Sequence, residues 1–270
     1  MFTFTTLASG SGGNAALVSC GNTHILLDAG ISAKRITAGL HALGVAPHQL
    51  SAILLTHEHS DHVSGLRVLT KKAGAPIYAT HPTCQEWYRK NRCDQVNDLF
   101  RPQKAGVGVQ IGALWAVPFP TPHDAAGSVG WSIASASGRM VLCTDLGHVT
   151  EEVRQAVAGC DLLVCEANHD AGWVRSGPYP YYLKQRILGD YGHLSNEAGA
   201  ELAAFAVEYG TKQVILAHLS QQNNTPVRAY ETAARRLLAM GCNPERDISL
   251  AVAPRDETGP TYCLKEAAVC

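Results

Sequence analysis

The sequence predicts an α/β protein built as a four-layer sandwich, with helices outside and two sheets inside. Short apolar or β-branched runs alternate with longer segments of helical period along the whole chain. The alternation comes in two strand-then-helix sets, which bury their apolar faces as layers. The chain has 270 residues, 46% of them hydrophobic and 17% charged, which fits one large layered domain or two small ones. We read residues 1–270 as that single domain, because no low-complexity segment or linker divides them.

The elements follow in order. "FTFTTLA", "NAALVSC" and "THILLDAG" read as strands, punctuated by the turns "SGSGGN" and "GN". A helix is expected over 32–43, with Leu40 and Leu43 on one side and Lys34 and Arg35 on the other. "LSAILLT" is a buried strand, "HVSGLRVLTKKAG" a helix with a Gly stop, "PIYAT" a strand and "HPTCQEWYRKN" a short helix. The second set begins with strands "ALWAVPFP", "VGWSIASASG" and "RMVLCTD". "TEEVRQAVAG" is a helix with a Thr cap and acids in its first turn. "DLLVCEA" is a strand, "SNEAGAELAAFAVEYG" a long helix, and "QVILAHLS" a strand. "TPVRAYETAARRLLAMG" is a helix with Pro at its start and Gly at its stop, and "DISLAVA" closes the sheet.

Composition narrows the function classes. The net charge of −1 gives no global basic field for nucleic acid, although a local patch would suffice. Basic residues do cluster, at Arg67, Lys71 and Lys72, at Arg89, Lys90 and Arg92, and at Lys184 and Arg186. The first two clusters read as solvated helix faces. Nine cysteines occur without a C-x-x-C pair, several inside apolar runs, which suggests reduced thiols in a cytoplasmic protein. The start "MFTFTTLASGSGGN" lacks the basic residues of a signal peptide, and no apolar run is long enough to span a membrane. Cys270 ends the chain, but "AAVC" is not a prenylation box.

The chemistry concentrates in "ILLTHEHSDHVSGL", where His57, His59, Asp61 and His62 follow an apolar run. Three imidazoles this close repel on protonation and add nothing to packing. Their purpose is expected to be metal binding. His123, Asp145 and His218 each follow another strand, and adjacent strand ends converge on one edge of a sheet. Taken singly, His218 reads as a packed histidine, Asp61 as a helix cap and Asp145 as a turn residue. Together the seven residues are too many for one tetrahedral ion and fit two. One ion would take His57, His59 and His123, the other Asp61, His62 and His218, with Asp145 bridging. The ions would be Zn²⁺ or Mn²⁺, with Fe admissible. Two cations flanking one solvent molecule give a nucleophile at neutral pH.

This pattern, H-x-H-x-D-H behind a strand and then separated His, Asp and His, resembles the metallo-β-lactamase superfamily over nearly the whole chain. The resemblance implies an αββα sandwich of two mixed sheets. Asp rather than Cys at position 145 is similar to the hydrolase and nuclease branches. "LASGSGGNA", "ILLDAGIS", "GPYPYYLKQRILGDYGHLSN" and "AHLSQQNNTP" narrow it to the YycJ-like (WalJ-like) group of bacterial metallo-hydrolases, regarded as DNA exonucleases. Relatives that process tRNA 3′ ends carry a Glu–His dyad beside the metals, and Glu166 and His193 occupy similar places. A carboxylate there would fix the imidazole tautomer and raise its pKa, so that His193 could assist phosphate or the leaving oxygen. Alternatively, Glu166 pairs with a basic side chain and His193 caps the helix after it. The long nucleic-acid-binding insertion of the RNA-processing members is missing.

The resulting expectation is a dinuclear phosphodiesterase, a nuclease on DNA, with Asp61, His193 and Glu166 catalytic. Asp28 would accept hydrogen bonds from the histidine loop. Ser11 and Asn14 in the Gly-rich loop, with Lys184, Arg186 and Asn223, are the expected substrate contacts. No membrane or obligatory protein partner is expected. Two alternatives share the sequence: a small-molecule hydrolase (cyclic phosphodiesterase, lactonase or thioesterase) and a non-catalytic metal-stabilised binding module.

Overall fold

The computed structural model describes residues 1–264. Cys270, read above as lacking a prenylation signal, lies outside them. The first sheet carries β1 (Phe2–Ala8), β2 (Ala15–Cys20), β3 (Thr23–Leu27), β4 (Ala52–Leu54), β5 (Ile77–Thr80) and β6 (Phe100–Gln103). The second carries β7 (Val109–Ile111), β8 (Leu114–Pro120), β9 (Val129–Ser135), β10 (Gly138–Cys143), β11 (Leu162–Glu166), β12 (Gln213–Ala217) and β13 (Ser249–Val252). A last strand, β14 (Thr261–Leu264), returns to pair with β1, giving the first sheet the order β14-β1-β2-β3-β4-β5-β6. Each sheet is antiparallel through four strands and then parallel outward, from β3 in one and β10 in the other.

Helices α1 (Ala33–Ala42), α2 (Ser60–Val63), α3 (Leu66–Ala73), α4 (His81–Asn91) and α5 (Asp94–Asn97) accompany the first sheet in sequence. With the second come α6 (Glu151–Val157), α7 (Ala171–Ser176), α8 (Tyr181–Leu188), α9 (Asn196–Glu208) and α10 (Pro226–Ala239). Three cores separate the four layers. Leu26, Ile53 and Leu55 pack outward on Ile36, Leu40, Leu66 and Trp87. Phe4, Leu27 and Leu54 face Trp131, Met140 and Val164 across the middle. Val141, Leu163 and Leu216 pack on Val153, Ala203, Ala229 and Leu237. Leu26 and Leu27 lie in different cores, as do Met140 and Val141, because successive strand residues point to opposite faces. Strands covered on both faces therefore read as unbroken apolar runs.

One expected helix is divided. "HVSGLRVLTKKAG" forms the end of α2 and all of α3, broken at Gly65. The segment Ala29–Ile31 docks there. Gly65 N–H donates to the Ala29 carbonyl, and Ala29 N–H donates to the His62 carbonyl. A Cβ on Gly65 would lie 2.1 Å from the Ile31 carbonyl oxygen, and one on Gly30 would lie 1.6 Å from that of Asp61. The two glycines let two backbone segments touch, and this contact sets the shape of the histidine turn.

Candidate metal centre

Asp28, His57, His123, Asp145 and His218 follow β3, β4, β8, β10 and β12, and Glu166 ends β11. Three of these, Asp28, Asp145 and His218, have φ of 57°, 61° and 57°. A left-handed backbone at non-glycine residues costs of order 1–3 kcal/mol each and persists only where surroundings enforce it. Here it turns the chain sharply at the strand end. Hydrogen bonds hold the turns: His218 N–H donates to Ser9 Oγ, and Asp28 N–H to the Leu54 carbonyl.

All seven expected ligands come together. Ligand atoms of His57, His59 and His123 lie within 4.8 Å of one another, as do those of Asp61, His62 and His218. Asp145 lies between the two groups: its Oδ1 is 3.1 Å from His218 Nε2 and 3.9 Å from His123 Nε2, and its Oδ2 is 3.4 Å from His62 Nε2. His57 Nε2 and Asp145 Oδ2 are buried without a hydrogen-bond partner. Leaving such atoms unpaired costs about 1–3 kcal/mol each. Bound cations would satisfy both.

Charge argues the same way. Burial pushes His57, His59 and His218 below the ordinary imidazole value, and neighbouring histidines add to this at His57 and His59. Asp61, despite burial, is lowered to about 2 by His62. Asp145 is also buried, yet His218, His62 and His57 hold it well below the carboxylate range. His62 goes the other way. Burial favours its neutral form, but Asp145, Asp28 and Asp61 together raise it well above the ordinary value. Three carboxylates thus demand positive charge where Asp61, His62 and Asp145 meet, and neutral imidazoles surround the spot. This donor set fits divalent cations.

The outward nitrogens are anchored. Asp28 accepts from His62 Nδ1 at 2.8 Å, from Thr56 N at 2.8 Å and from Thr56 Oγ1. Thr56 Oγ1 also lies 3.0 Å from His57 Nδ1. His123 Nδ1 donates to the Gly192 carbonyl, which leaves Nε2 for the cluster. Such contacts fix tautomer and ring orientation.

Glu166 and His193 are paired. Glu166 Oε1 is 2.7 Å from His193 Nδ1, while Oε2 accepts from Leu146 N and Leu194 N, both at 3.1 Å. A ligand atom of Glu166 also lies within 4.8 Å of those of Asp145, His193 and His218, but its hydrogen bonds tie it to His193 and the Leu146 and Leu194 amides. Burial opposes charge on His193, but Glu166 outweighs it and lifts the imidazole to about 9. The helix cap expected as an alternative for His193 is supplied by Ser195, whose side chain accepts from Ala198 N.

The substrate contacts expected from sequence divide. Ser11 and Arg186 line a cavity of about 210 Å³ over the cluster, together with His59, Asp61 and His193. Asn14 is buried among the ligands instead, with Oδ1 3.1 Å from His218 Nδ1 and Nδ2 3.1 Å from His62 Nε2. It positions imidazoles rather than facing the cavity. Lys184 turns away, its Nζ donating to the Arg175 carbonyl. Asn223 is buried and its carbonyl accepts from Asp170 N, so it braces a loop. Thr56 and Asp124 were not anticipated. Asp124 pairs with Arg186 and lies 3.4 Å from His123 Nε2. Both adjoin a ligand histidine in sequence, and that adjacency was the available signal.

A family model described as "Beta-lactamase superfamily domain" matches residues 23–219. The exodeoxyribonuclease WalJ of Streptococcus pneumoniae is 38% identical over 240 residues, covering 87% of this chain and 88% of that protein. The exodeoxyribonuclease YycJ of Bacillus anthracis is 36% identical over 225 residues, covering 82% and 83%. Among solved structures, the metallo-beta-lactamase fold protein YhfI of Bacillus subtilis superposes with a TM-score of 0.70 at 16% identity, covering 97% of this chain and 98% of its own.

Proposed function

The chain belongs to the beta-lactamase superfamily, and from that premise we propose that it is a metal-dependent exodeoxyribonuclease of the cytoplasm. The observation that carries the reading is the cluster of five imidazoles and two carboxylates at the sheet edge, with His57 Nε2 and Asp145 Oδ2 buried and unpartnered. The two curated relatives are named for DNA, and they match along most of the chain. All eight cysteines among the described residues are free thiols, which suits a reducing compartment. No helix is long and apolar enough to cross a membrane.

His57, His59 and His123 would hold one divalent ion and Asp61, His62 and His218 a second, with Asp145 available to both; Zn²⁺, Mn²⁺ or Fe would suit these donors. Ions bound there supply Lewis acidity that activates solvent and offsets charge developing on phosphate. The chain's own residues do the rest. Asp61, ionised and reaching into the cavity, orients the attacking solvent by accepting its hydrogen bond. His193, protonated through its contact with Glu166, has Nε2–H free to donate to a phosphate oxygen or to the leaving oxygen. The Arg186 guanidinium at the cavity wall draws in the phosphate.

The test is protein loaded with Mn²⁺ or Zn²⁺ on end-labelled linear DNA, single-stranded and duplex, with a circular strand beside it. Nucleotides should leave from an end, and the circle should resist. Bound metal without any DNA cleavage would refute the reading. Turnover of bis(p-nitrophenyl) phosphate alone would point to a small-molecule hydrolase.

A further inference from the structure

The segment from α7 through α8 is unusual for its exposed aromatic rings. Tyr181 and Tyr182 are 77% and 73% exposed, Tyr191 63%, and Trp173 37%. Single exposed aromatics are ordinary, but here they gather in one stretch of chain beside the metal centre. Helix α8 has no fully buried residue. Its inner face, Leu183, Arg186 and Ile187, lies against the cavity over the cluster, and Tyr179 ahead of it joins that wall. By the i, i+4 rule Tyr182 stands on the same flank as Arg186. Tyr191 is beside the site through its carbonyl, which accepts from Asp124 N. Residues 171–189 contain Arg175, Lys184 and Arg186, of which Arg186 is paired with Asp124, and Asp170 and Asp190 border them.

Aromatic faces interleaved with cations suit one class of ligand, a nucleic acid strand whose bases are unpaired. Bases stack on the rings, whatever their sequence, while basic groups follow the phosphates. An intact duplex offers groove edges and phosphates, since its base faces already stack on each other. We propose that α8 and its flanking loops, above all Tyr181 and Tyr182, form a stacking platform that holds the terminal bases of the scissile strand unpaired. The platform rests on the nuclease reading. It makes the substrate a single-stranded or frayed end.

The experiment compares metal-loaded wild-type protein with the double variant Tyr181→Ala/Tyr182→Ala and with Tyr181→Phe/Tyr182→Phe. Substrates are a single strand, the same strand with abasic sugars at its terminal positions, and bis(p-nitrophenyl) phosphate. Losing one or two stacking partners should raise KM for the normal strand roughly ten- to a hundredfold. The ratio of strand to diester activity falls equally, the Phe pair restores it, and the abasic strand does not distinguish the proteins. Duplexes with mismatched ends should outpace clamped ends with wild-type protein, and the Ala pair should lose that preference. An Ala variant that cleaves the normal strand like wild type, or loses as much on the abasic strand, overturns the platform while leaving the nuclease intact. Wild-type protein that hydrolyses the diester but no strand overturns both. A dimer that the Ala pair dissolves assigns the tyrosines to contact between copies and also overturns the platform.

Discussion

Replacing Glu166 by Gln should move the alkaline limb of the pH–rate profile to lower pH. The side-chain oxygen of Gln can still accept from Leu146 and Leu194 N–H, so the turn keeps its bonds. The charge facing His193 is lost. With that charge the imidazole stands at about 9; without it, burial presses the value down while Asp145 and Asp61 still raise it. The value therefore falls from about 9 by an amount those two carboxylates limit, and each unit is about 1.4 kcal/mol of preference for the imidazolium. At pH 8 about nine tenths of the wild-type imidazole is protonated, and a drop of about 2 units would leave about one tenth, slowing a step that needs His193 as donor roughly tenfold. Bound cations lower both values together, so the separation of the limbs is the prediction. The sign is fixed: a raised pKa keeps the donor protonated at neutral pH and loses it as pH climbs toward 9. The assay is kcat against pH on an end-labelled strand, with metal content matched in both proteins. Coincident alkaline limbs would remove His193 from the reaction.

Asp28→Ala leaves His62 Nδ1 and the Thr56 donors without their acceptor, and metal affinity measured by competition with a chromogenic chelator should fall about 10- to 100-fold. Gly30→Ala places a methyl against the Asp61 carbonyl, where backbone cannot yield, and should destabilise by roughly 2–3 kcal/mol in denaturant titration. Loss of metal affinity should accompany it, because the same contact shapes the histidine turn. Metal binding should weaken as pH falls, first because His62, held above the ordinary imidazole value by its carboxylate neighbours, keeps a proton that the metal must displace, and should release protons to a weakly buffered solution. Removing the ions with a chelator should lower Tm, since metal binds the folded cluster and not the separated ligands of the unfolded chain.

Much of this was legible in sequence, for a physical reason. Strands covered on both faces are apolar throughout, so "ILLT", "VLCTD" and "VILAH" mark both their own position and where their last residue emerges. His57, Asp145 and His218 are found by that rule. The outermost strands β6, β7 and β14 escaped it. "FRPQ", for example, buries only Phe100 fully and carries little apolar signal. The break at Gly65 and the inward turn of Asn14 were also hidden, because each depends on a segment distant in sequence, Ala29–Ile31 in one case and His218 in the other. Lys184 and Arg186 looked equivalent on paper. Helical spacing sends Arg186 to the cavity and Lys184 to a carbonyl outside it.

The central claim is that strand ends from both sheets assemble one centre for two cations. Anomalous diffraction from crystals of the zinc-loaded protein, collected across the zinc edge, tests it most directly. Two peaks should appear, one among His57, His59 and His123 and one among Asp61, His62 and His218, with Asp145 between them. A single peak, or peaks away from these side chains, would contradict the account.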